Sequence, residues 1–164
     1  MDRALYESAV LLGSRLQKRA WQLALAESCT GGGIAKTITD VPGSSVWFDR
    51  GFVSYSNAAK VDMLGVSQAT LNAKGAVSEE TALEMVEGAL ANSLADLAMA
   101  VTGIAGPDGG TGEKPVGTVF IAWQVRGQPS HCVKQQFSGD RLAVRRQVVL
   151  FCLQQAYRLV GAEK

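Results

Sequence analysis

The chain has 164 residues, of which 47% are hydrophobic and 19% charged, with a formal net charge of +1. That size and balance allow one domain with its own buried core and exclude a disordered chain. A near-neutral charge without a Lys/Arg-rich run excludes a nucleic-acid footprint, and no apolar run approaches the ~20 residues of a membrane span.

The N-terminus "MDRALYESAVLLGSRL" alternates charge with apolar residues, so it lacks the uninterrupted core of a signal peptide. Leu5, Ala9, Leu12 and Leu16 recur at helical spacing and predict an amphipathic helix over 2–20. "WQLALA" (21–26) reads as a short buried strand, and a helix is expected from Gly33 to about Thr39, stopped by Pro42 and Gly43. "GFVSYS" (51–56) is aromatic and β-branched and predicts a strand, followed by a short helix, "NAAKVDMLG", closing at Gly65. Ser78 is an N-cap candidate for a helix over 79–94 that buries Ala82, Val86, Ala89 and Leu90, with Glu79 and Glu80 favourably placed against the helix dipole. "LAMAVTGIA" (97–105) predicts a buried strand, and "GPDGGTGEKP" is a loop too glycine-rich for regular structure. "VGTVFIAWQV" and "HCVKQQF" predict paired strands joined at "RGQPS". Asp140 is expected to cap a final helix to about Val160, with Val148, Cys152, Ala156 and Leu159 facing inward. There is no linker or repeat, so the expectation is one α/β domain over 1–164, a three-layer α/β/α sandwich with a mixed sheet.

The stretch "ALAESCTGGGIAKT" (24–37) places three glycines behind a Ser-Cys-Thr triplet. It fails as a P-loop, because Thr30 and Ala35 stand where glycines belong, and as a dinucleotide fingerprint, which wants glycine at Lys36. A strand, a glycine turn and a helix start still leave free N–H groups, so Thr30, Gly31 and Gly32 are candidates to hold an anion or oxyanion. The alternative is a tight turn that uses glycine's backbone freedom. If the turn carries a nucleophile, Ser28, Cys29 and Thr30 all qualify, and a serine needs a base. The one histidine, His131, sits in a strand-like segment, which leaves a lysine shielded from water as the base candidate. No Ser-x-x-Lys occurs, so any Ser–Lys pair joins separate segments or is Ser56 with Lys60.

"SYSNAAK" can bring Tyr55 and Lys60 into one cleft, the phenol tuning the amine, or can be a strand-edge tyrosine with a solvated lysine. "TGIAGPDGGTGEKPVGT" leaves a strand's carboxyl end, where open α/β sheets bind ligands, so Thr102, Gly103 and Gly106 are candidate backbone contacts and the loop a candidate lid. Its rival is a flexible surface loop. Arg141 and Arg145, one helical turn apart near a helix N-terminus, suit a phosphate or carboxylate, or simply form a solvated basic face. Three cysteines without C-x-x-C spacing fit reduced thiols in a cytoplasmic protein and exclude a structural zinc; a single histidine leaves no histidine-based metal site.

"AESCTGG", "GFVSYSNAAK", "GAVS", "TGIAGPDGG…KPVGTV" and "FSGDR…VRR", in that order over nearly the whole chain, resemble the CinA C-terminal family. The resemblance implies deamidation of nicotinamide mononucleotide to nicotinate mononucleotide and ammonia, in pyridine-nucleotide recycling. It also implies a serine nucleophile with a lysine, no metal or other cofactor, and a homodimer. Carried onto this chain it selects Ser28 as nucleophile, with Lys60 and Tyr55 as partners. Gly33 replaces a larger residue common in relatives. Longer relatives carry a preceding domain linked to pyrophosphatase activity, which is not expected of this chain. The rival functions are a non-catalytic nucleotide-binding or competence-related interaction module, and an amidase or esterase for another small molecule.

Overall fold

In the computed structural model, which describes residues 1–162, the first helix forms where the apolar spacing places it. Asp2 accepts the Leu5 amide at 3.3 Å to open α1 (Arg3–Arg19), and Ala9, Leu12 and Leu16 are buried. The elements that follow are β1 (Leu23–Glu27), α2 (Gly33–Thr39), a short 3₁₀ turn at Ser44–Val46, β2 (Phe48–Val53), α3 (Asn57–Leu64) and α4 (Gln68–Lys74). Then come α5 (Glu79–Ala91), β3 (Leu97–Gly103), β4 (Thr118–Val125), β5 (His131–Gln136) and α6 (Arg141–Ala162).

The strands form one mixed five-stranded sheet in the order β2-β1-β3-β4-β5. β1 pairs parallel with β2 and β3, while β4 pairs antiparallel with β3 and β5. Side chains alternate across the sheet as strand geometry requires. Leu23, Leu25, Leu97, Met99, Val101 and Ile121 face a core shared with α1, α2 and α6. Ala24, Ala26, Ala98, Ala100 and Ala122 face the other side, where α3, α4 and α5 pack. Small side chains on that face let α5 lie close to the strands. α5 is in turn crowded by α3, since a Cβ at Gly88 would sit 1.9 Å from the Leu64 carbonyl oxygen. The result is the expected α/β/α sandwich. No described helix is long and apolar enough to cross a membrane.

Several boundaries differ from the sequence reading. β2 starts at Phe48 and ends at Val53, rather than spanning 51–56, because its partner β1 ends at Glu27 and offers nothing further to pair with. Ser54 and Tyr55 are thereby released toward the carboxyl edge of the sheet. α5 stops at Ala91 and β3 at Gly103, each short of the expected end, and α4, capped by Ser67, had no counterpart. Ser78 caps α5 through the Thr81 amide at 3.1 Å, and Asp140 accepts the Ala143 amide at 2.9 Å at the start of α6. Inward on α6 lie Val148, Cys152 and Ala156, with Leu159 only partly buried.

Because β1, β2 and β3 are parallel, their carboxyl ends emerge on one edge. α2 connects β1 to β2 on one side, and α3–α5 connect β2 across to β3 on the other. Chain segments diverge at this point and leave a crevice, where open α/β sheets place their ligands.

Candidate active site

Ser28 is the first residue beyond β1, and its amide donates to the Val101 carbonyl at 3.1 Å, which ties the turn to β3. The chain reverses through Gly31 (φ +58°) and Gly32 (φ +96°), a left-handed pair that suits glycine, and enters α2. The N-cap of α2 is Gly32, which has no side chain to cap with. Glu27 substitutes for it. Its carboxylate, 1% exposed, accepts the Thr30 hydroxyl at 2.5 Å and the Ile34 and Ala35 amides at 2.9 Å each. Charge-assisted bonds of this kind satisfy an otherwise costly buried carboxylate. Glu27 was not singled out from sequence. Its signal was an acidic residue ending the buried run "LALAE" just ahead of a helix start.

The Thr30 side chain is turned inward to Glu27, and Thr30, Gly31 and Gly32 do not line the crevice.

Lys60 comes from α3, whose first turn is capped by Ser56 accepting the Ala59 amide at 3.0 Å. The cap aims residue 60 back under the strand ends, and Lys60 is only 1% exposed. Its Nζ lies 2.9 Å from Ser28 Oγ, 2.9 Å from the Ser54 carbonyl and 3.1 Å from the Tyr55 carbonyl. Burial pushes the pKa of this amine below its ordinary value, because the charged form loses hydration. Burial acts the other way on the neighbouring Cys29 thiol, pushed up to about 12, so it carries no thiolate near neutral pH.

The Tyr55 phenol, expected to tune the amine, does not meet Lys60 in this structure. Lys60 uses the main-chain carbonyl of Tyr55, while the side chain is 60% exposed and its hydroxyl accepts from Arg141 Nη2 at 3.2 Å. His131 is also remote from this chemistry: it lies on β5, its ring stacked on Trp123 at 6.2 Å.

A cavity of about 470 Å³ opens over the pair, lined by Ser28, Lys60, Thr102, Gly103, Gly106 and Arg141 among others. The hydroxyl of Thr102 donates to the Ala76 carbonyl at 2.8 Å, and Lys114 Nζ donates to the Val77 carbonyl at 2.5 Å. The 75–77 segment is thus pinned as one wall. Neither that wall nor Lys114 had been assigned a site role from sequence; the quoted "GAVS" and "KPVGTV" were the available signal. Arg141 Nη1 donates to the Gly106 carbonyl at 2.8 Å and stands at the cavity wall. Arg145, expected beside it as an anion ligand, is not part of the lining; its guanidinium is engaged with the Cys29 and Thr30 carbonyls. Among the described residues no group of three or more His, Cys, Asp and Glu is placed to hold a metal ion.

Comparison with known proteins follows the same lines. Residues 6–160 match the CinA C-terminal domain. The chain is 55% identical over 157 residues to a nicotinamide-nucleotide amidohydrolase PncC of Enterobacter agglomerans, covering 96% of each chain. It is 50% identical over 153 residues to the protein of the same name from Escherichia coli strain K12, covering 93% of each. Among solved structures, the competence/damage inducible protein CihA from Agrobacterium tumefaciens superposes with a TM-score of 0.94 at 42% identity, covering 97% of each chain.

Proposed function

The chain belongs to the CinA C-terminal domain family, and on that premise we propose that it hydrolyses the carboxamide of nicotinamide mononucleotide to nicotinate mononucleotide and ammonia. It is an amide hydrolase in this reading, as are the relatives named nicotinamide-nucleotide amidohydrolase that match it almost end to end. The reaction would serve pyridine-nucleotide recycling. The observation that carries the mechanism is a buried lysine amine 2.9 Å from a serine hydroxyl at the floor of a substrate-sized cavity.

The chemistry follows from counting protons on Nζ. A neutral amine has two N–H groups and one lone pair. The Ser54 and Tyr55 carbonyls accept the two N–H bonds, so the lone pair is left for the Ser28 hydroxyl proton. A lysine whose pKa is lowered by burial is available in that neutral form, and at 2.9 Å it is within reach for proton transfer. Ser28 Oγ, losing its proton to Lys60, attacks the carboxamide carbon. The carbonyl π electrons move to oxygen, and the oxyanion is met by amides of the turn beyond Ser28, a contribution of several kcal/mol in sites of this type. Collapse breaks the C–N bond; the Lys60 ammonium returns the proton, and ammonia leaves. Water, deprotonated by Lys60 in turn, attacks the acyl carbon and releases the carboxylate product and Ser28.

The substrate phosphate is assigned to Arg141, whose guanidinium stands at the cavity wall within reach of the Gly106 carbonyl and the Tyr55 hydroxyl. Tyr55 is then a rim residue that shares this arginine with the substrate.

The test is ammonia release from nicotinamide mononucleotide, set beside the riboside and free nicotinamide. The expected result is turnover of the mononucleotide by the native chain, none by Ser28→Ala, and strong preference for the phosphorylated compound. Full turnover by the folded alanine variant, or an inert native enzyme, would reject the assignment.

A further inference from the structure

Arg145 is one helical turn beyond Arg141 on α6, yet it does something different. Its Nε donates to the Cys29 carbonyl and its Nη2 to the Thr30 carbonyl, both at 3.1 Å. No carboxylate lies within ion-pair distance of it among the described residues. A planar fork of donors suits two successive carbonyls, a geometry that a single ammonium cannot reproduce.

The consequence lies on the opposite side of each peptide. A trans peptide is planar, so its N–H points away from its C=O. The Ser28 carbonyl accepts the Gly31 amide at 3.0 Å, which fixes the plane that carries the Cys29 N–H. The Cys29 carbonyl is held by Arg145, which fixes the plane that carries the Thr30 N–H. The Thr30 carbonyl is held by Arg145 and by the Gly33 amide at 3.0 Å. The Ser28, Cys29 and Thr30 carbonyls are therefore tied down, while the Cys29 and Thr30 amides donate to no main-chain carbonyl among the described residues, the Cys29 amide having only its own thiol beside it. The Cys29 amide is the one immediately after Ser28, the position from which a nucleophile turn commonly donates to an oxyanion, and Cys29 lines the cavity.

A second observation bears on the same clamp. A Cβ at Gly31 would lie 3.3 Å from Arg145 Nη2, and φ there is +58°. The absent side chain at position 31 leaves room for the guanidinium to reach both carbonyls.

We infer that Arg145 is a positioning residue: by holding the Thr30 carbonyl it fixes the peptide plane of the Gly31 N–H, which in turn holds the Ser28 carbonyl, so that the Cys29 amide is aimed at the oxyanion, and it does not bind the substrate. The inference rests on Ser28 being the nucleophile of an amide hydrolase, as proposed above.

The test compares Arg145→Met and Arg145→Lys with the native enzyme in steady-state turnover of nicotinamide mononucleotide, with thermal unfolding followed in parallel. The expected result is a kcat lower by about 10- to 100-fold in the methionine variant, short of the ~10²–10³ lost when a donor is deleted outright. KM and the preference over the riboside stay within about twofold, and lysine, able to satisfy one carbonyl, recovers part of kcat. A raised KM at unchanged kcat, or lost phosphate preference, would make Arg145 a substrate ligand and overturn the inference; so would unchanged kinetics. If the methionine variant does not fold, the lysine variant carries the test: kcat intermediate between the native value and the loss of about 10- to 100-fold, at KM within about twofold, supports the clamp, and unchanged kcat overturns it. Acylation of Ser28 by p-nitrophenyl acetate, read as p-nitrophenolate release, probes the oxyanion without the nucleotide. Slowed acylation in the Arg145 variants of an enzyme inert toward nicotinamide mononucleotide would reject the substrate and keep the clamp. Acylation at the native rate in those variants would reject the clamp.

Discussion

Replacing Lys60 by methionine removes the amine and keeps a chain of similar volume at a position 1% exposed. Two carbonyls, Ser54 and Tyr55, lose their donor. At about 2 kcal/mol for each acceptor left without a partner, the loss is roughly 4 kcal/mol. Lys60 already buries its methylenes, so the thioether chain returns little. The net, about 4 kcal/mol, lowers Tm by roughly 8–16 °C for a chain of this size, within the margin of a domain folded at 25 °C. In the proposed mechanism catalysis suffers far more, because the group that takes the Ser28 proton is gone, and general-base loss is typically worth 10²–10⁴ in rate. Ammonia release, coupled to glutamate dehydrogenase and followed at 340 nm by the usual absorbance of the reduced cofactor, measures the effect. A folded methionine variant that turns over within about tenfold of the native rate near neutral pH would refute the role given to Lys60.

The pH dependence follows from the same lysine. Its pKa is lowered in the folded state, so kcat/KM should rise with pH through a midpoint below the ordinary lysine value of about 10.4, and this limb should vanish in Lys60→Met. Between the folded and unfolded pKa values the unfolded chain holds the extra proton, so this residue makes stability rise with pH across that window; unfolding by urea at several pH values checks the sign. Arg141→Met removes an exposed guanidinium from the cavity wall, and should raise KM for the mononucleotide about 10- to 100-fold with kcat within a few-fold and Tm nearly unchanged. Glu27→Gln keeps one acceptor oxygen but points an amide N–H₂ at the Ala35 amide. The expected loss is about 1.5–3 kcal/mol, seen as a Tm lower by roughly 3–12 °C, and an unchanged Tm would contradict the clasp.

What sequence reveals here is set by how local each feature is. The bounds of α2, and the end of α3 at Gly65, are written in glycine and proline, whose backbone preferences act without tertiary help. The Leu/Ala alternation of β1 and β3 likewise announces buried strands. α4 carries no such stripe, since only Leu71 of its seven residues is buried, and so it leaves no periodic signal. The start of β2 depends on its register with β1, a long-range pairing that local composition does not contain. At the site, residue types alone left Ser28, Cys29 and Thr30 equivalent. What separates them in the structure is environment: Thr30 is turned to Glu27, Cys29 holds its proton, and Ser28 faces the amine. Arg141 and Arg145 read alike as an i, i+4 pair, yet one turn of α6 puts the first at the cavity and the second behind the nucleophile turn. The orientation of the Tyr55 phenol was equally invisible, because strand pairing ends two residues before it.

The protonation of Lys60 is open to direct observation by titrating the enzyme with ¹³C-labelled lysine and following each Cε resonance by NMR, with Lys60→Met supplying the assignment. The account predicts that the residue 60 signal changes at a pH clearly below the common transition of the exposed lysines, leaving neutral amine available where the enzyme works. A signal that moves together with the exposed lysines, in free enzyme and with nicotinate mononucleotide bound alike, would contradict it.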